Sequence, residues 1–138
     1  MSPTELDKLM SDCASDATVV AKTEFDTELD GSPASIPLVD DILLSFLDKY
    51  HEQALEDQAV FTICNVFGAY VGEILKSQLD ATWVYDQSNP DAPSVFLQVG
   101  ENTYAFAGIC YERLVNDSQV SVNAYYEQAL NNHRNLSH

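Results

Sequence analysis

Basic side chains are scarce in this sequence. Six lysines and arginines stand against 22 aspartates and glutamates in 138 residues, a formal net charge of −16. A surface this negative repels phosphate and anionic lipid headgroups, which argues against a nucleic-acid binder or a membrane-surface protein. Long apolar runs are also missing. No stretch approaches the roughly 18 uncharged apolar residues of a membrane span, and the opening MSPTELDKLM has neither the basic start nor the apolar run of a signal peptide. A cytoplasmic location is expected. The three cysteines (Cys13, Cys64 and Cys110) are odd in number and widely spaced, with no CxxC pair, which excludes a disulfide framework or a zinc site of ordinary spacing. Each lies among apolar neighbours and reads as a small core hydrophobe.

The familiar chemical motifs are lacking as well: no Walker loop, GxGxxG, HExxH, GxSxG or EF-hand pattern occurs. His51, His133 and His138 are the only histidines. No catalytic residue, metal or cofactor is expected. What is present is an apolar fraction of 46%, close to the globular norm, in a chain long enough for one domain. A chain of this size buries about two-thirds of the surface it exposes when unfolded. The negative charge is uneven, net −11 over residues 1–57 and net −5 over residues 58–138. The acids are spread among apolar residues, which indicates a folded acidic surface.

Hydrophobic spacing divides the chain into an N-terminal helix within 1–22, core helices over 36–79, a sheet over 82–106 and C-terminal helices over 107–133. Ser2-Pro3-Thr4-Glu5 is a helix-start signature with a capping box, followed by Leu6, Leu9 or Met10, Cys13 and Ala17 at helical spacing. The β-branched run Thr18-Val19-Val20 weakens that helix, and Lys22 to Leu29 is expected to be extended or irregular. Gly31-Ser32-Pro33 is a break. A second helix starts near Ser35 or Ile36, because Pro37 is tolerated only in a first turn, and carries an apolar face from Val39 to Ala54. The third, from about Gln58 to Leu79, has apolar residues around much of its circumference. Its Gly68 and Gly72 allow another element to approach the backbone.

After Ala81 the period becomes that of strands: 82–85, 94–99 and 103–106, the last two joined by a tight turn at Gly100-Glu101-Asn102. Two short helices follow, over about 107–115 and after Asn116-Asp117-Ser118. The predicted class is α+β: a single domain whose helical N-terminal half packs on a small three-stranded antiparallel sheet, closed by C-terminal helices.

The most informative local pattern lies on the second helix. At 100° per residue, Asp41, Ser45, Asp48, Glu52 and Glu56 fall within about 80° of one another, opposite the apolar face. Like charges at this spacing repel by a few tenths of a kcal/mol per pair, and Lys49 nearby cannot neutralise them all. Asp40 and Asp41 point in different directions around the helix and make a poor two-carboxylate catalytic pair. Glu73 projects away from the main stripe of the third helix. It reads either as a structural carboxylate bridging to backbone or an arginine, or as a functional residue.

Two segments also resemble a known group. Leu29-Asp30-Gly31-Ser32-Pro33-Ala34-Ser35-Ile36, followed by Val39-Asp40 and Ile42-Leu43, resembles an LDxSxxSIxxVDxIL pattern. Phe67-Gly68-Ala69-Tyr70-Val71-Gly72-Glu73-Ile74, followed by Trp83-Val84, resembles an FGAYxGE…W pattern. Both are similar to a group of small bacterial domains of uncharacterised activity, and the likeness extends over about residues 25–130. The resemblance implies a compact bacterial α+β domain, and some members of the group look like accessory or immunity proteins encoded beside toxins.

The expected function is therefore that of a non-enzymatic acidic binding protein, an immunity protein that neutralises a bacterial toxin by occluding it. The expected partner is a basic protein met by Asp41, Asp48, Glu52 and Glu56, helped by Asp86 and Asp91 of the loop Asp86 to Pro93, with Trp83 as an apolar anchor. The alternative is a housekeeping or regulatory domain, monomer or dimer, that binds a small ligand or associates with itself through exposed aromatic residues.

Overall fold

The structure, a computed structural model, describes residues 2–52, 56–86, 94–116 and 120–134. Its elements run α1 (Pro3–Phe25), a single 3₁₀ turn (Pro33–Ser35), α2 (Ile36–His51), α3 (Asp57–Gln78), β1 (Thr82–Asp86), β2 (Ser94–Val99), β3 (Asn102–Tyr104), α4 (Phe106–Tyr111) and α5 (Val122–Arg134). The class is α+β, with a helical N-terminal half, then a three-stranded antiparallel sheet, then C-terminal helices.

Helix α1 starts as its sequence indicates: the Ser2 side chain accepts a 3.2 Å hydrogen bond from the Glu5 N–H, and Pro3 occupies the first turn. It does not stop at Thr18-Val19-Val20. The helix continues to Phe25 and ends at Asp26, which takes the left-handed conformation (φ 49°) with its N–H on the Ala21 and Lys22 carbonyls. The few tenths of a kcal/mol that β-branched residues cost a helix are outweighed by packing. Ala17 and Ala21 are fully buried, Val20 packs against the core, and the Phe25 ring meets Phe46 edge-on with centroids 5.2 Å apart. Only residues 26–30 follow the expected irregular path.

Helix α3 is the axis of the domain, packed against α1 along one side and α4 along another. By length and composition it could cross a membrane, but Val60, Cys64, Phe67, Val71, Ile74 and Leu75 are buried inside the protein. Its two glycines lie one turn apart and each accommodates a neighbour. A Cβ on Gly68 would come within 2.6 Å of the Ala107 nitrogen and 2.9 Å of the Phe106 carbonyl carbon. A Cβ on Gly72 would come within 2.7 Å of Cζ2 of Trp83. The close approach expected of this pair therefore involves α4 at one glycine and the sheet at the other.

In the sheet, β2 lies between β1 and β3. Trp83, Leu97 and Tyr104 stand opposite one another across the three strands, and all are buried. The β2–β3 connection is the two-residue turn Gly100-Glu101, with Gly100 at φ +60° in the first position, where a side chain is disfavoured. β3 is shorter than expected. Phe106 leaves the sheet to begin α4 because its backbone seats on Gly68, and its ring packs edge-on against Tyr125. Beyond Tyr111 the helix widens into a π turn over Glu112–Asn116, in which Leu114 is fully buried.

Candidate functional site

Of the predicted partner-binding residues, Asp41 and Asp48 share the exposed side of α2, and exposed Glu52 follows directly after the helix end with its N–H still on the Asp48 carbonyl (3.1 Å). Two exposed leucines, Leu38 (37%) and Leu44 (38%), flank them on the same side. Glu56 does not belong to this row. Helix α2 ends at His51, and Glu56 is the exposed N-cap of α3, in extended conformation (φ −79°, ψ 155°). Ala54, expected on the apolar face, lies outside the described residues, as does Asp91 with the rest of 87–93. Asp86 ends β1, half-buried, opposite Ser94. Trp83 is not an exposed anchor: it is 4% exposed, with its indole laid over Gly72. Its Nε1 is buried and has no hydrogen-bond partner among the described residues.

The distribution of cations sharpens the acidic face. Lys8 pairs with Asp12 (3.0 Å), Lys22 with Asp26 (3.5 Å) and Glu28 (3.4 Å), and Lys76 with Asp7 (3.5 Å). All of those acids belong to α1 or the segment just after it. Arg113 is committed to Asp40. The described ion pairs thus neutralise acids around α1, and none reaches Asp41, Asp48 or Glu52.

Asp40 and Asp41 are adjacent in sequence and opposite in fate. Asp41 is exposed, whereas Asp40 is 8% exposed. The Asp40 carboxylate caps α5, accepting hydrogen bonds from the N–H groups of Val122 (2.7 Å) and Asn123 (3.0 Å) and from the Ser121 hydroxyl (3.0 Å). Arg113 stands 3.5 Å from Asp40 Oδ1 and also donates to the carbonyls of Asp40 and Val120. Ser121 Oγ in turn accepts from the Ala124 N–H at 3.0 Å. A carboxylate at a helix N-terminus answers both the orphan N–H groups and the positive end of the dipole. This cluster joins α2, the π turn and α5, and its chemistry is structural. Sequence reasoning gave Asp40 no such role, although a signal exists: on the helical wheel Asp40 falls only about 20° from buried Leu47.

The third feature joins the two segments singled out by resemblance. The Gly31 N–H donates to the Tyr70 hydroxyl oxygen at 2.9 Å, the Tyr70 and Ser35 hydroxyls lie 2.6 Å apart, and Ser35 Oγ donates to the Ser32 carbonyl at 2.7 Å. One proton direction satisfies the chain throughout: Gly31 to Tyr70, Tyr70 to Ser35, Ser35 to Ser32. Asp30 Oδ1 accepts from the Ser32 hydroxyl (2.6 Å) and N–H (3.0 Å), and these bonds hold its carboxyl below the usual carboxylate range. The fixed 29–35 segment walls a groove of about 440 Å³ between α1 and α3, with half-buried Glu73 one turn beyond Tyr70. Neither bridge envisaged for Glu73 forms. Its carboxylate has no hydrogen bond or ion pair among the described residues, and Arg113 goes to Asp40.

The thiols lie away from this groove. Burial pushes Cys64 up to about 12 and Cys110 well above its ordinary value; Cys13 is raised by burial and by Asp16 and Asp12. A thiol must ionise to act as a nucleophile, so Cys64 and Cys110 stay neutral at physiological pH. Iodoacetamide at pH 8 is expected to alkylate half-buried Cys13 slowly and to leave Cys64 and Cys110 intact until denaturant is added, as peptide mass spectrometry would read. Among the described residues no group of three or more His, Cys, Asp or Glu side chains is placed to hold a metal ion.

No family model matches the chain, and no curated protein or solved structure matches it either.

Proposed function

We propose that the protein is a non-enzymatic binding protein that captures a basic protein partner on the exposed face of α2, the role an immunity protein plays towards a toxin it occludes. One observation carries this reading: the described ion pairs lie around α1 and at Asp40, while Asp41, Asp48 and Glu52 have no ion pair among the described residues and are bordered by exposed Leu38 and Leu44. Row and leucines together form an anionic patch with apolar flanks, suited to a cationic surface that also buries apolar area. Glu56, the exposed N-cap of α3, lies just beyond the end of that row in the chain. The family resemblance supplies the toxin as the partner's kind, and Leu38 and Leu44 take the anchoring part first expected of Trp83.

The test is a pull-down against the products of the adjacent genes, followed by association kinetics with the basic protein it captures, measured by stopped flow at low and high salt; capture of no basic protein also refutes the reading. An opposing field raises association rates by about 10- to 1000-fold. The rate constant is therefore expected to fall at least about tenfold both at high salt and in the triple variant Asp41→Asn, Asp48→Asn, Glu52→Gln. An association rate indifferent to both changes refutes the reading.

A further inference from the structure

We infer that the groove between α1 and α3 is a binding site for a primary ammonium group on an aliphatic stem, with Glu73 as its principal anion. This inference is independent of the α2 face. The groove arises from matched spacing on two helices. Ser11, Ala14, Ser15 and Thr18 on α1 face Tyr70, Glu73, Ile74 and Ser77 on α3, each set at i, i+3, i+4 and i+7. The α1 set is uniformly small, so the seam that large side chains would fill is left open to about 440 Å³.

The lining has one sign of charge. Among the described residues, Asp30 and Glu73 are the only carboxylates that line it, and no lysine, arginine or histidine does. The nearest α3 cation in sequence, Lys76, is turned to Asp7 at 3.5 Å. Most of the hydroxyls have their protons committed: Thr18 donates to the Ser15 carbonyl, Ser77 to the Ile74 carbonyl, and Tyr70 to Ser35. The Tyr70 oxygen already accepts from the Gly31 N–H, but the Thr18 and Ser77 oxygens remain available as acceptors, so the groove offers acceptors and anions to a ligand that brings donors. An ammonium brings three donors and no acceptor. Leu29 and Ile74 provide the apolar wall for its methylenes.

A half-buried carboxylate with no partner among the described residues is free to accept from a bound cation, a charge-assisted contact stronger than a neutral hydrogen bond. The Gly31–Tyr70–Ser35 hydrogen bonds hold the opposite wall in place before any ligand arrives, which lowers the ordering cost of binding. The ammonium has two sources, a free aliphatic diamine or a lysine side chain of another protein.

The experiment titrates the full-length ¹⁵N-labelled protein with putrescine and, separately, with Nα-acetyl-lysine-N-methylamide, at about 150 mM salt so that loose attraction to the acidic surface is screened. Saturable amide shifts confined to 11–18, 29–31 and 70–77 are expected. Putrescine binding alone identifies a free diamine as the ligand class, whereas comparable binding of the capped lysine identifies a protein side chain. Glu73→Gln is expected to weaken binding at least about tenfold. Ser15→Leu, which fills the exposed wall and keeps every charge, is expected to abolish it. The α2 triple variant should bind as the native protein does, so failure here and failure of the α2 reading are told apart. Non-saturating shifts spread over the acidic residues, or native affinity in Glu73→Gln, overturn the inference.

Discussion

Replacing Asp40 by alanine is expected to lower the unfolding free energy by about 3–5 kcal/mol, the range for breaking a buried, hydrogen-bonded ion pair from one side. The loss has two parts. The first two N–H groups of α5 and the Ser121 hydroxyl lose their acceptor, worth about 1–2 kcal/mol as a lost helix cap. Arg113, 11% exposed at its side chain, is left in the interior beside carbonyls but without its anion. For a domain of this size the change corresponds to a fall in Tm of about 10–20 °C. Urea denaturation followed by circular dichroism measures it. The neighbouring substitution Asp41→Asn is the control, expected to change stability by less than about 0.5 kcal/mol because that side chain is solvated. Equal small effects at both positions would mean that Asp40 does not tie α5 to α2.

The second large effect is expected at Gly72. Alanine normally favours a helix interior over glycine by about 1 kcal/mol, so propensity alone predicts that Gly72→Ala stabilises. The opposite is expected here, a loss of about 2–3 kcal/mol from overpacking, because the new methyl enters the buried indole of Trp83. The indole is boxed in by the sheet and cannot simply swing aside. Combining Gly72→Ala with Trp83→Leu makes room for the methyl, and the double variant is expected to cost at least about 1 kcal/mol less than the sum of the singles. Strict additivity would show that the two side chains do not compete for the same space. Gly68→Ala has no comparable rescue, since its methyl meets the backbone of 106–107 rather than a side chain.

These two sites explain what the resemblance segments do for the fold. Val39-Asp40 ends one pattern with the carboxylate that caps α5. Gly68 and Gly72 receive α4 and Trp83, and Tyr70 ties α3 to the segment before α2. Of the residues at the fixed positions of these patterns, Asp30 and Glu73 carry charge with no ion pair among the described residues, and both line the groove. Of the exposed row on α2, Asp41 occupies a variable position of the first pattern, and Asp48 and Glu52 lie beyond it.

Element order was legible in the sequence because the signals are local. Apolar spacing of 3.6 on α2 and α3, alternation in β1 and β2, Ser2-Pro3 at the start of α1 and Gly100 at the hairpin are each contained within a few residues. Where a local signal met a tertiary one, the tertiary one prevailed. Thr18-Val19-Val20 stayed helical because α1 packs on α3, and Phe106 left the strand because Gly68 offered its backbone a seat.

The fate of the charges was not legible in the same way. Composition determined that the surface would be anionic, and helical spacing determined that Asp41 and Asp48 would share a side. The fold alone decided that Asp40 would be buried, that Glu56 would start a different helix, that Trp83 would be covered, and that Glu73 would border an open seam. The reason is separation along the chain: Asp40 meets Arg113 and Val122 across 73 and 82 residues. A contact of that span depends on how whole helices pack, which no window of neighbouring residues encodes.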